Sequence, residues 1–213
     1  MLPTNSGSRL SQISSDASSW DMRYASQELV WSLEPNVFVS TQLKELPAGK
    51  MIDHAGGEGR NALWFASRGW QVENVEISKV ALEKFQLRAE REGIADRCIS
   101  NLATAETAKF NLAPDLVVIA YLQLPFHQLE MALDNAVSQS EPGTRFFGVW
   151  HALRNLTDGV GGPPMPEVLP TPEQLESWAQ DKLTNFAVYE AEREVQVDGE
   201  TRVAIDVILS GEL

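Results

Sequence analysis

The sequence predicts an α/β protein, a three-layer sandwich whose mostly parallel seven-stranded sheet ends in an antiparallel β-hairpin. Three observations predict this class. Strand-like and helix-like segments alternate between residues 50 and 150, which is typical of parallel βαβ units. A glycine-rich turn joins the first strand to the helix that follows it. Near the C-terminus, two β-rich segments are joined by Asp198-Gly199, a dipeptide that strongly favours a hairpin turn.

The individual elements follow from their residue patterns. Ser78 is a typical N-cap for a helix through Glu92. The apolar run 115–120 is typical of a strand buried on both faces. Thr171 is expected to cap a helix that starts at Pro172. The predicted strands are 51–53, 71–77, 97–100, 115–120, 144–150, 186–197 and 201–209, and further helices cover about 62–66 and 126–138.

The composition excludes several classes of protein. The chain has 213 residues, 43% of them hydrophobic, and a net charge of −13. Its one cysteine, Cys98, cannot form an internal disulfide and is expected in the core. No apolar run is long enough to span a membrane, and the Ser-rich start does not resemble a secretory signal. The acidic charge opposes nucleic-acid binding, so we expect a cytoplasmic protein that acts on a small molecule.

The chain divides into a tail and one domain. Residues 1–18 are rich in Ser and poor in apolar groups, so we expect a disordered tail. Residues 19–213 are expected to form a single domain. Within it, residues 20–46 should form a helical cover, because this short stretch is rich in large apolar side chains, among them Trp20, Tyr24, Leu29, Val30, Trp31, Phe38, Val39 and Leu43.

The glycine-rich turn indicates a nucleotide-like ligand. Glycines after a strand allow a close backbone approach and open a helix whose N-terminus carries partial positive charge. Glu76, 19 residues after Gly57, is placed to accept hydrogen bonds from ribose hydroxyls. Gly57-x-Gly59-x-x-Ala62 fits the dinucleotide fingerprint, so an NAD(P)-dependent oxidoreductase is one interpretation. No Ser…Tyr-x-x-x-Lys set of short-chain reductases is present, and the terminal hairpin favours a different class.

The motif Asp53-His54-Ala55-Gly56-Gly57-Glu58-Gly59, an acid at a strand end followed by glycines, resembles that of the class I S-adenosylmethionine (SAM)-dependent methyltransferases, whose Rossmann-like sheet ends in such a hairpin. The chain resembles them from Trp20 onward, and in particular small bacterial tellurite-resistance and thiopurine methyltransferase-like proteins. The residues that carry the resemblance are Trp20-Asp21-x-Arg23-Tyr24, Trp31, Glu34-Pro35-Asn36-x-Phe38-Val39, Asp53-His54-Ala55-Gly56-Gly57-Glu58-Gly59-Arg60-Asn61-Ala62, Val75-Glu76-Ile77-Ser78, Tyr121-Leu122-x-Leu124-Pro125 and the loop from Asn155 to Pro163.

The resemblance implies a SAM site at the carboxyl ends of the strands. Asp53 and the glycine turn would hold the methionine part, Glu76 the ribose, and Asn101 the adenine edge. Ala55 stands where the family usually has glycine, and Asn101 where it commonly has Asp. Trp20, Tyr24 and Trp31 would either close over the cofactor or pack the N-terminal helix. The full set of expected cofactor residues is Trp20, Tyr24, Trp31, Asp53, Ala55, Gly56, Gly57, Gly59, Asn61, Glu76, Ile77, Asn101, Leu102, Ala120 and Tyr121.

The reaction implied is methyl transfer to a small-molecule acceptor, which leaves S-adenosylhomocysteine (SAH). A general base is needed only if the acceptor must lose a proton. His151 is the first candidate, followed by Tyr121 and His127. The Gly- and Pro-rich segment 152–170 is either a substrate-side wall or a plain connector.

Three further expectations complete the sequence interpretation. His54 is expected to pack locally. No residue spacing indicates a metal site. Because Ala55 and Asn101 depart from the family pattern, a non-catalytic SAM- or nucleotide-binding protein remains an alternative.

Overall fold

The computed structural model describes residues 16–26 and 32–213. The predicted tail therefore falls largely outside the described residues, and so does Trp31; Ala17 and Ser18, the end of that tail, already belong to the first helix. The helices are α1 Ala17–Ala25, α2 Val37–Leu43, α3 Arg60–Ala66, α4 Lys79–Arg91, α5 Phe126–Ser138, α6 Asn155–Asp158 and α7 Pro172–Gln180. The strands are β1 Lys50–His54, β2 Gln71–Glu76, β3 Cys98–Leu102, β4 Leu116–Ala120, β5 Arg145–His151, β6 Thr184–Val197 and β7 Glu200–Glu212.

The seven strands form one sheet in the order β3-β2-β1-β4-β5-β7-β6. The first five strands are parallel, whereas β7 is antiparallel to both β5 and β6. The predicted α/β sheet with a terminal hairpin is thus confirmed. At the hairpin turn, Asp198 (φ 53°) and Gly199 (φ 81°) both have the positive φ that a two-residue turn of this kind requires.

Helices cover both faces of the sheet, which explains why β4 is apolar at successive positions. Val117 and Ile119 belong to one buried cluster together with side chains of α5 and α7. Leu116 and Val118 point to the other face and pack with residues of α3 and α4. Since neighbouring side chains of a strand point to opposite faces, only a strand covered on both sides buries all four.

Two helix starts confirm the predicted caps. The Ser78 hydroxyl accepts a hydrogen bond from the Ala81 amide at the start of α4. Thr171 and Gln174 form a reciprocal capping box at α7, and Pro172 occupies its first turn. The segment 152–170, expected as a loop, contains the short helix α6 and a 3₁₀ turn over Pro166–Val168. No helix of the two described ranges has both the length and the apolar character needed to cross a bilayer.

Candidate active site

The carboxyl ends of β1, β2, β4 and β5 meet at one edge of the sheet, where ligands bind in such folds. The glycine turn lies at this edge, and at two of its positions, Gly56 and Gly59, an added Cβ would clash. A Cβ on Gly56 would lie 2.6 Å from Asp53 Cγ. Gly59 is the N-cap of α3, has φ 72°, and a Cβ there would overlap the ring of Phe85. Because the turn presents backbone rather than side chains, a ligand can approach it closely.

Ala55 has a left-handed backbone, with φ 62°. This region is unfavourable for a residue with a Cβ, by about 1 kcal/mol or somewhat more. The family's usual glycine would adopt it without strain. The substitution noted in the sequence is therefore tolerated at a cost in folding free energy, and the turn still forms.

Replacing Ala55 by Gly should raise the free energy of unfolding by up to about 1 kcal/mol, because strain is removed from the folded state. Urea denaturation at constant m-value is the measurement. As a matched control, Ala191→Gly in β6, where φ is not positive, should lower the unfolding free energy by a comparable amount. Equal destabilisation by both substitutions would contradict the strain assigned to Ala55.

Asp53, at the end of β1, is a fully buried carboxylate with one unsatisfied oxygen. Its Oδ2 accepts a hydrogen bond from the Ala62 amide at 3.0 Å. Its Oδ1 has no partner among the described residues. Burial raises the pKa of Asp53 to about 6. An oxygen of this kind calls for an additional donor, and the ammonium group of an amino-acid ligand supplies one.

Glu76 ends β2 on the other side of the turn. Its Oε2 accepts from the Gly57 amide and its Oε1 from the Ser78 amide, both at 2.9 Å. Burial raises the pKa of Glu76. Each carboxylate oxygen can accept more than one hydrogen bond, so a pair of ligand hydroxyls can still be accommodated. The predicted role of Glu76 in holding a ribose fits this arrangement.

The next strand supplies an apolar edge beside Glu76. Leu102, paired with Glu76 in the sheet register, leaves 57% of its surface exposed. Ile77 is half-buried at the same end of the sheet. The Asn101 amide nitrogen donates to Glu73 Oε1 (2.7 Å) and to the Lys109 carbonyl (2.8 Å), which leaves only its Oδ1 to accept a bond from a ligand. An exposed leucine beside an amide acceptor fits the apolar face and polar edge of a purine.

Helix α1 is attached next to this site. Asp21 Oδ1 accepts from the Ser78 hydroxyl (2.5 Å) and the Val80 amide (3.2 Å), so α1 reinforces the start of α4. These hydrogen bonds lower the pKa of Asp21. The rings of Trp20 and Tyr24 lie 5.7 Å apart on α1, and Tyr24 is buried. Helix α1, which carries both aromatic residues, is thus joined to Glu76 through Ser78: the Ser78 hydroxyl donates to Asp21 and the Ser78 amide donates to Glu76.

A second contact joins the cover to the glycine turn from α2. The Asn61 side chain accepts from the Asn36 amide at 2.9 Å, and Asn36 in turn caps α2. Asn61, expected at the cofactor, therefore holds the covering segment in position. Lys84 of α4 adds a further tie, because its ammonium donates to the Tyr24 carbonyl (2.7 Å) and to Glu58 (2.9 Å).

Beyond the end of β4 lies a polar cluster of which sequence reasoning identified Tyr121 and His151 but missed Asp206 and Arg193. Tyr121 has φ 60° and stacks on His151, with ring centroids 4.7 Å apart. Its hydroxyl donates to Asp206 Oδ2 at 2.9 Å, and Arg193 Nε donates to the same oxygen at 2.6 Å. The only sequence signal for Asp206 was an acidic residue within the apolar run 203–209 of β7.

Arg60 completes this cluster from the glycine turn. Its guanidinium carbon lies 5.8 Å from the centroid of the Tyr121 ring, and Arg193 lies at the same distance. No carboxylate of the described residues forms an ion pair with Arg60, and burial lowers its pKa. Burial also raises the pKa of Tyr121, so its phenol stays protonated. Tyr121 is accordingly a hydrogen-bond donor here and a poor proton acceptor.

The remaining candidates occupy other environments. Ala120 is the half-buried last residue of β4. His54 is fully buried against Phe110, and burial lowers its pKa to about 4, so it is neutral at pH 7. His127 is exposed on α5. Cys98 is half-buried, and burial raises its thiol pKa to about 11. Across residues 16–26 and 32–213, no three His, Cys, Asp or Glu side chains are grouped to hold a metal ion.

The segment 152–170 is firmly attached to the same edge. Asn155 is buried, its amide donates to the Gly161 carbonyl (2.8 Å), and its oxygen accepts from the Ile205 amide (2.7 Å). A Cβ on Gly162 would lie 2.8 Å from Cγ of His151, so the backbone there lies directly against the His151 ring. This contact supports the wall interpretation of the segment.

The fold is that of the class I SAM-dependent methyltransferases, as solved structures show. A protein from Methanosarcina mazei, described as a SAM-dependent methyltransferase, matches with 16% identity, covers 84% of this chain and 99% of its own, and has a TM-score of 0.58. TehB from Haemophilus influenzae matches with 15% identity over 84% of this chain and 63% of its own, at a TM-score of 0.63. A protein studied for the conversion of a disulfide bond into a thioacetal group during echinomycin biosynthesis matches with 13% identity over 92% and 91%, at 0.70.

The same fold also occurs with other chemistry. The [4+2]-cyclase SpnF matches with 13% identity over 82% of this chain and 79% of its own, at a TM-score of 0.62. No protein-family model matches the sequence, and no curated protein does. The similarity therefore establishes the fold, and the activity must be argued from the site itself.

Proposed function

We propose that this protein transfers a methyl group from SAM to a small-molecule acceptor and releases SAH. The observation that carries the proposal is the pair of buried carboxylates, Asp53 and Glu76, at the carboxyl ends of adjacent strands on either side of the glycine turn. Carboxylates with unused acceptor capacity suit a ligand that carries an ammonium group, a sulfonium and a ribose. They suit a free anion poorly.

Each part of the cofactor has a matching group in this chain. Asp53 Oδ1 would accept from the amino group, and Glu76 from the ribose hydroxyls. Leu102 and Ile77 would face the adenine, and the aromatic residues of α1 would exclude water from this end. The cofactor supplies an already activated methyl group, so the chain mainly has to orient the acceptor and keep water out.

The acceptor side argues for a small molecule. The His151 ring packs against the Tyr121 ring and the backbone at Gly162. The Gln123 side chain accepts a hydrogen bond from the His151 amide and donates one to the Val168 carbonyl, so it links the end of β5 to the segment 152–170. Close contacts of this kind support a small acceptor at the end of β5. A net charge of −13 makes a nucleic-acid acceptor unfavourable. A cytoplasmic location would give the enzyme access to both SAM and such an acceptor.

One calorimetric titration distinguishes the proposed function from two alternatives. A nicotinamide dinucleotide would bring its pyrophosphate to the glycine turn beside the buried carboxylate of Asp53, which opposes it, whereas Glu76 would suit the ribose of either cofactor. A non-catalytic SAM-binding protein is favoured by the strained Ala55, and the cyclase on the same fold shows that other roles occur. We expect calorimetry to detect binding of SAM and SAH but not of NADH. Binding of NADH alone would overturn the proposal, and SAM binding without transfer to any acceptor would favour the sensor.

Replacing Glu76 by Ala should weaken SAM binding at least tenfold, because two ligand hydroxyls lose a charged acceptor. Calorimetric titration at pH 7.5 measures the affinity, and thermal melting checks that the variant is folded. Glu83→Ala, which removes an exposed carboxylate from α4, is the matched control and should bind SAM normally. An affinity for SAM that is unchanged in the Glu76 variant would remove this residue from the site.

A further inference from the structure

The His151 ring is held in one orientation by three neighbours. It stacks on Tyr121 at 4.7 Å, and the backbone at Gly162 lies against it. Its Nδ1 lies 3.1 Å from Asp206 Oδ1. His151 and Asp206 are directly opposite each other in the register of β5 and β7, so the sheet itself brings the two side chains together.

One carboxylate oxygen of Asp206, Oδ1, accepts no hydrogen bond from a described residue and lies next to His151. The side chain is fully buried. Its Oδ2 already accepts hydrogen bonds from the Tyr121 hydroxyl and Arg193 Nε, whereas Oδ1 accepts none from a described residue. A carboxylate oxygen next to an imidazole nitrogen favours a proton on that nitrogen. His151 should therefore carry its proton on Nδ1 and keep the lone pair on Nε2.

The lone pair on Nε2 is available to a ligand. Neither ring nitrogen forms a hydrogen bond with a described residue: Nδ1 is buried 3.1 Å from Asp206 Oδ1, and 13% of the His151 side chain remains exposed. The charged and titratable groups around the ring are Asp206, Tyr121 and, through Asp206, Arg193. Tyr121 cannot compete for a proton, because its hydroxyl is a donor to Asp206.

We propose that His151 and Asp206 form a proton-accepting dyad and that the methyl acceptor attacks through a thiol or hydroxyl that is still protonated at neutral pH. This inference rests on the proposed methyl transfer. The acceptor's lone pair forms the bond to the methyl carbon while the carbon–sulfur bond breaks towards sulfur, and the acceptor's proton passes to His151 Nε2. Asp206 stabilises the resulting imidazolium, which then loses its proton to water.

The first test reads the protonation of the ring without any acceptor. The chain has three histidines, so ¹⁵N-histidine labelling with His54→Gln and His127→Gln assignments isolates the His151 signals. We expect Nδ1 protonated and Nε2 unprotonated in the free full-length protein. In Asp206→Asn, Tyr121 and Arg193 should donate their hydrogen bonds to the oxygen of the new amide. The amide NH₂ group then faces Nδ1 of His151, so Nδ1 must accept a hydrogen bond and the ring proton moves to Nε2. A proton on Nε2 in the unsubstituted protein, or no change in the variant, would overturn the dyad.

The second test compares acceptors that differ in protonation. At pH 7.5 benzyl mercaptan and phenol are protonated, whereas 4-nitrothiophenol and pentafluorophenol are ionised. His151→Gln should lower kcat/KM for the protonated member of each pair at least 100-fold and for the ionised member less than threefold, since general-base catalysis contributes about that much. His127→Gln is the control and should change neither.

Each other outcome has a distinct meaning. Equal losses for both members of a pair would show that His151 only positions the acceptor, which overturns the proton-transfer role. Transfer to none of the four probes by an enzyme that binds SAM would overturn the acceptor class. SAM affinity, measured by calorimetry, should stay within twofold in His151→Gln. Failure of SAM to bind the unsubstituted protein would remove the proposed function itself, while the tautomer of His151 would still be read independently.

Discussion

Replacing Gly59 by Ala should lower the free energy of unfolding by about 2–5 kcal/mol and abolish SAM binding. The backbone at residue 59 has a left-handed φ, which costs about 1–2 kcal/mol for a residue with a Cβ. The Cβ would also overlap the buried ring of Phe85, and this overpacking adds about 1–3 kcal/mol. Phe85 is fully buried, so its ring cannot move into free space. Relief of the clash by backbone movement would displace the start of α3 and with it the turn that faces the ligand.

Gly93 offers a matched control for this substitution. Its φ of 68° is close to the 72° of Gly59, but a Cβ there would meet no atom within 4 Å. Gly93→Ala should therefore lower the unfolding free energy by only about 1–2 kcal/mol, the backbone part alone, and leave SAM affinity intact. Urea denaturation and calorimetry on both variants give the comparison. A similar effect of the two substitutions would show that the contact with Phe85 is unimportant.

SAM affinity should rise about tenfold between pH 5 and pH 7 and change little above that. Burial holds the pKa of Asp53 at about 6, so at pH 5 roughly one molecule in ten has the ionised carboxylate that an ammonium group prefers. Binding of the cation must then include the cost of ionising Asp53 at low pH. Calorimetric titrations at a series of pH values measure this slope. Asp53→Asn should bind weakly with a much smaller slope; an unchanged slope would assign it to another group, such as Glu76.

The stability of the free protein should change in the opposite direction. The pKa of Asp53 is raised on folding from 3.8 to about 6, so the protonated form is the one that folding favours. This contribution is fully present below about pH 4 and is lost as the pH rises through 6, for a total of about 3 kcal/mol. Asp53→Asn should consequently be more stable than the unsubstituted protein at pH 7, by up to that amount, and nearly equal to it at pH 4. Chemical denaturation at both pH values tests this difference.

Local patterns were sufficient to predict the fold. The alternation of strands and helices, the caps at Ser78 and Thr171 and the Asp198-Gly199 turn each depend on residues close in sequence, and all are found in the structure. The neighbouring positions of Asp53 and Glu76 were predictable for the same reason, since these residues flank one βαβ unit. The left-handed φ of Ala55 was not predictable, because no sequence rule states which turn position requires it.

The acceptor side depends on contacts between distant residues. Asp206 lies 85 residues from Tyr121 along the chain and 13 from Arg193, yet its carboxylate joins them. In its strand the apolar residues Val203, Ile205 and Val207 alternate, and this pattern predicts which face of β7 is buried. Asp206 lies on the opposite face, about which the pattern says nothing. Only the register of β7 against β5 brings this carboxylate to His151.

Because β7 lies between β5 and β6, the proposed cofactor and acceptor sites are completed at different stages of synthesis. The residues proposed to hold the amino group, the ribose and the adenine of SAM all precede residue 103, so they are synthesised before β5, β6 and β7. The dyad requires β7, which must insert beside β5 after every other strand has been made. A nascent chain therefore contains these proposed SAM contacts before it contains the carboxylate of the proposed dyad. Deprotonation of an acceptor by the proposed dyad would be confined to chains in which β7 has joined the sheet.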